Sequence, residues 1–106
     1  MKRLLALIAI GAVIAFGHAQ DTGVTDDQII IGNWGPQSGP AAAWGTVSTA
    51  VEAYFQYIND QGGIHGRQLV LATRDDGYDP ARTVAAVREL IDSVGVFAFV
   101  AGVGTA

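Results

Sequence analysis

Three segments of this 106-residue sequence carry groups able to recognise a small molecule. The first, Ile29 to Gly45, turns from a β-branched apolar run into Gly and Pro punctuation, with a hydroxyl at Ser38 and an indole at Trp44. The second, Asp75 to Asp79, sets three aspartates around Gly77 and Tyr78. The third runs Gly102-Val103-Gly104-Thr105-Ala106, where glycine lets the backbone come close to an anion and Thr105 adds a hydroxyl. Hydroxyls, backbone N–H donors and one large ring suit a ligand with a carboxylate head and an apolar or aromatic tail. Thr105 and Gly104 are the candidates for the carboxylate. Ser38 belongs to the same recognition edge, and Trp44 is either a pocket wall or a lid on the core.

Other chemistry finds less support. Asp75, Asp76 and Asp79 do not follow the order of a calcium-binding loop, and turn formation plus helix capping accounts for them, so no metal site is expected. Gly102-x-Gly104 starts a dinucleotide fingerprint without its third glycine, and no cofactor is expected. His65 sits in a Gly-rich turn and is expected to be solvated. It is the one histidine outside the first twenty residues, so no nucleophile–base pair can be assembled and no catalysis is expected. With no cysteine, neither a disulfide nor a thiolate nucleophile is available.

The elements that must position these groups follow from periodicity. Ile29 to about Trp34 reads as a strand buried on both faces. Val47, Ala50, Val51, Tyr54, Phe55 and Ile58 fall on one helical stripe, ended by Gly62-Gly63. Gln68 to about Asp75 is a second strand. Asp79-Pro80 reads as an N-cap and first helical position, opening a helix to about Val94 with Ala81, Val84, Val87, Ile91 and Val94 facing inward. Val96 to Val100 is a third strand. The order β-α-β-α-β predicts an α/β fold with a three-layer parallel sheet, which brings all three segments to one edge of the sheet. Two helices cannot cover both faces of such a sheet, so the chain reads as the first part of a larger unit.

The opening residues have another purpose. Met1-Lys2-Arg3 is cationic, Leu4 to Phe16 is apolar, and Gly17-His18-Ala19 offers a cleavage site, which together describe a signal peptide over residues 1–19 and a mature start at Gln20. The apolar run is too short for a bilayer core of about 30 Å. Cleavage removes Lys2 and Arg3, leaving four arginines against ten carboxylates over residues 20–106. Such an acidic surface excludes nucleic acid as a partner.

Gly35-Pro36-Gln37-Ser38-Gly39-Pro40 with Trp44-Gly45, then Ile58 to Arg67, then Asp75-Asp76 and Asp79-Pro80, occur in an order that resembles the N-terminal lobe of the leucine/isoleucine/valine-binding-protein family. The resemblance runs from about Val24 to Ala106. It implies one lobe of a two-lobed periplasmic substrate-binding protein, closing on a branched-chain amino acid or related small carboxylate and delivering it to the membrane permease of an ABC importer. It also implies that Ser38 and Trp44 line the ligand's side chain and that Thr105, with neighbouring N–H groups, holds its α-carboxylate. Some relatives pair two cysteines near Tyr78 and Gly104, and this chain has neither. A ligand-sensing domain of the same fold, acting with a regulator or receptor, is the alternative.

Overall fold

The computed structural model describes residues 21–105, and the leader expected over residues 1–19 lies outside them. Strand β1 (Gln28–Gly35) forms the centre of a three-stranded parallel sheet, with β2 (Gln68–Asp75) on one side and β3 (Ala98–Phe99) on the other. Helix α1 (Thr46–Asp60) joins β1 to β2, and α2 (Pro80–Glu89) leads from β2 to β3. The chain moves outward to β2 and then back past β1 to β3. With right-handed crossovers that reversal puts the two helices on opposite faces, which is the expected α/β architecture.

Register does much of the positioning. β1 and β2 pair from Gln28↔Gln68 to Gly35↔Asp75, so their following loops leave the sheet side by side. β2 is an edge strand, and part of its outer rim is closed by α1: the Asn59 amide donates to Leu69 O at 2.9 Å and accepts from Leu69 N at 2.7 Å.

Helix α2 begins as the sequence predicts. The Asp79 carboxylate accepts from the N–H groups of Ala81 and Arg82, and Pro80 occupies the first turn, where its missing N–H costs nothing. The helix widens into a π-type turn over Leu90–Val94 and ends at Gly95, whose φ of 70° is the left-handed conformation that closes helices. Its inward face differs from the expected stripe. Leu90 and Ala86 are buried with Val96, whereas Val84 and Ile91 are each 52% exposed. The helix carries apolar residues on two adjacent stripes, and the tie from the Thr83 hydroxyl to the buried Asp76 carboxylate turns the Thr83–Ala86–Leu90 stripe inward. Tyr54 on α1 likewise departs from expectation: it is exposed and stacks on Tyr57.

β3 is shorter than the expected Val96 to Val100. Strand pairing covers Ile31↔Ala98 and Gly32↔Phe99, and single bonds from Phe97 N to Ile30 O and Val100 N to Gly32 O flank it. Ala101 then takes φ 53°, which ends the extended run. Gly32 admits the Phe99 ring, since a Cβ there would lie 2.6 Å from it. That ring meets Trp34, two residues on and so on the same face of β1, edge to face with centroids 5.4 Å apart. β1 is accordingly closed in toward its end, while Ile29 to Ile31 are half-buried, against the expectation of burial on both faces.

Candidate functional site

In a parallel sheet that reverses its winding direction, the connections leaving the two strands at the reversal turn to opposite faces beyond their carboxyl ends and leave a crevice between them. Here the reversal falls between β1 and β3. The loop after β1 carries a short 3₁₀ turn, Ala42–Gly45, which exposes the Trp44 indole to 63%. Opposite it runs the segment after β3. A depression of about 370 Å³ lies between them, lined by Trp44, Val47, Tyr78 and Gly102 to Thr105. A second, of about 150 Å³, adjoins it and is lined by Trp34, Asp76, Tyr78, Pro80, Thr83 and the same Gly102 to Thr105.

Of the four expected site residues, Trp44, Gly104 and Thr105 are thus brought together. Ser38 stands apart from both depressions. Its hydroxyl is donated to Asp75 Oδ2, while Asp75 Oδ1 accepts from Gln37 N at 2.8 Å and Gly77 N at 2.9 Å. The Ser38 hydrogen bond first, then those two N–H groups, hold the Asp75 carboxyl at a pKa of about 2, below its ordinary 3.8. A depressed carboxylate contributes stability that is complete above the ordinary value and is lost as pH falls through the folded one. The Gln37 and Gly77 amide signals should therefore hold from neutral pH to below 3.8 and titrate near 2. Ser38→Ala should move that midpoint upward. An NMR titration showing the same midpoint with and without the Ser38 hydroxyl would remove it as the main cause.

Two residues that the sequence reading passed over prove central. Asn33, near the end of β1, is 1% exposed. Its Nδ2 donates to Val100 O at 2.9 Å and Ala101 O at 2.8 Å, and its Oδ1 accepts from the Thr73 hydroxyl at 2.9 Å, so one amide ties all three strand ends together. Its signal in the sequence is a polar amide directly after an apolar run, which if buried must find partners. Tyr78 is the second. With φ 65° it sits at the end of the Asp75–Gly77 turn, its N–H donated to Asp76 Oδ1, and its phenol oxygen lies 2.9 Å from Thr105 Oγ1.

The glycines of the third segment divide in role. A Cβ on Gly102 would lie 2.4 Å from the Trp34 ring, so this residue must be small for the segment to lie down on β1. A Cβ on Gly104 would meet nothing within 4 Å, so packing does not require glycine there. Among the described residues, no group of three or more His, Asp or Glu side chains is arranged to hold a metal ion, and no helix is long and apolar enough to cross a membrane.

Comparison with known proteins agrees with this fold. Among curated relatives, a Leu/Ile/Val-binding protein homologue of Brucella melitensis is 35% identical over 90 residues, which span 84% of this chain and 23% of that protein. The fatty acid ABC transporter substrate-binding protein of Thermomonospora curvata superposes with a TM-score of 0.71 at 34% identity, over 76% of this chain and 20% of its own. A branched-chain amino acid transporter substrate-binding protein of Streptococcus pneumoniae, solved with isoleucine, gives 0.67 at 29% identity, over 71% of this chain and 22% of its own. The chain thus spans less than a quarter of the length of each of these proteins. Residues 28–106 match the periplasmic binding protein family, and the chain belongs to that family.

Proposed function

We propose that this chain is the first part of the N-terminal lobe of a two-lobed, exported substrate-binding protein. It captures a branched-chain amino acid or related small carboxylate and hands it to the permease of an ABC importer. The observation that carries the reading is the crevice at the β1/β3 reversal, where Trp44 faces Gly104 and Thr105 across a depression of about 370 Å³. Relatives are named for leucine, isoleucine and valine, and one is solved with isoleucine.

Thr105 and the N–H of Gly104 take the carboxylate, and Trp44 covers the apolar tail. Ser38 contributes by fixing the loop that carries Trp44, through Asp75. The acidic partner for an α-ammonium comes from the facing lobe. Binding and release are the whole of the chemistry, without a cofactor. Residues 1–19 direct export to the periplasm and are cleaved, leaving Gln20 first.

Isothermal titration of the complete exported protein with leucine, isoleucine, valine and their amides tests the reading. The free acids should give saturable heats and the amides should bind far more weakly. Equal binding of acids and amides, or no binding of any, rejects it.

A further inference from the structure

Tyr78 belongs to the walls of both depressions and stands between them. On one side the larger opens beneath Trp44 and Val47. On the other the smaller runs over Trp34 and Pro80. They share the Gly102–Thr105 segment as a common border. The position of the ring is fixed at its root, because the fully buried Asp76 accepts from Tyr78 N through Oδ1 and from the Thr83 hydroxyl through Oδ2. It is fixed at its tip by the contact between its phenol oxygen and Thr105 Oγ1. At φ 65° glycine would be the easiest residue to place, yet the sequence sets a large ring there.

We propose that Tyr78 sets ligand specificity and positions Thr105: its ring confines the ligand's tail to the depression beneath Trp44, and its phenol orients the Thr105 hydroxyl toward the carboxylate. The proposal rests on the function proposed above and names a determinant within that site. The direction of the hydrogen bonds follows from counting protons. Thr105 has one hydroxyl hydrogen, which a bound carboxylate takes, so Tyr78 must donate to Thr105 Oγ1 when ligand is present. A donor at that oxygen also polarises the Thr105 hydroxyl and strengthens its bond to the anion. With the ring removed, the two depressions join, and a longer tail can pass from beneath Trp44 toward Trp34.

The test is titration calorimetry of the complete protein and two variants with valine, leucine, phenylalanine and tryptophan. Tyr78→Phe keeps the wall and loses the donor, so all four affinities should fall together by about three- to tenfold. Tyr78→Gly loses both, in a backbone conformation that suits glycine, so its fold is preserved. It should raise the tryptophan-to-valine affinity ratio by about tenfold or more, which a purely structural role for Tyr78 would leave unchanged. An unchanged ratio in Tyr78→Gly overturns the wall, and wild-type affinities in Tyr78→Phe overturn the positioning role. Binding of these ligands by the wild type with either result sinks the Tyr78 assignment alone. A wild type that binds no amino acid overturns the proposed function and Tyr78's part in it together.

Discussion

Asn33→Ala should destabilise the complete protein by about 2 to 4 kcal/mol, measured by urea unfolding, and should weaken ligand binding as well. The amide makes three hydrogen bonds from a site 1% exposed, to Val100, Ala101 and Thr73. Alanine leaves two carbonyls and a hydroxyl without these partners and a void where the amide stood, and each unpaired buried group costs about 1 to 3 kcal/mol. Part is recovered where water enters, which keeps the total below the sum. Asn33→Asp separates hydrogen bonding from shape. At neutral pH it sets a carboxylate against two carbonyl oxygens and should be worse than alanine. Because burial beside those oxygens disfavours the charged form, its carboxyl is protonated more readily folded than unfolded, so the penalty should shrink as pH falls. An Asn33→Ala variant within 0.5 kcal/mol of wild type would show that the three strand ends hold together without it.

Thr105→Val should weaken binding of every carboxylate ligand by about ten- to a hundredfold. A hydrogen bond to a charged group contributes about 1.5 to 3 kcal/mol, and valine matches threonine in shape while lacking the hydroxyl. Thr105→Ser retains the donor and should cost much less. Trp44→Ala has a different signature. It removes apolar ring area over the ligand's tail, so the loss should grow with the size of the tail, where that of Thr105→Val should be uniform. Equal affinities of wild type and Thr105→Val for leucine, valine and phenylalanine would take Thr105 out of the site.

Local chemistry made much of this legible in advance. Asp79-Pro80 announces a capped helix because an N-cap carboxylate and an N1 proline act within a single turn, and the structure has both. The Gly-Pro loop after β1 and the glycines after β3 mark the crevice because topology alone carries strand ends to one edge. What escaped depends on partners distant in sequence. Asn33 reads as the tail of an apolar strand until Val100 and Ala101 arrive beside it, 67 and 68 residues on. The tie of the Ser38 hydroxyl to Asp75 shows only once the register of β1 against β2 puts that carboxylate within its reach. The choice between the Val84–Ile91 and Ala86–Leu90 stripes was likewise beyond periodicity, since both are apolar and a single tie from Thr83 to Asp76 decides between them.

The closure of β2 by Asn59 gives the sheet a handed asymmetry toward other chains. A parallel sheet ends in two rims of unpaired amides and carbonyls, either of which can template a stray strand from a neighbouring molecule. At Leu69 the side-chain amide of α1 already occupies both backbone groups, so a strand approaching from that side meets a rim interrupted near its start. Unwanted pairing on the β2 side is thus discouraged by a helix that plugs the rim with a single side-chain amide.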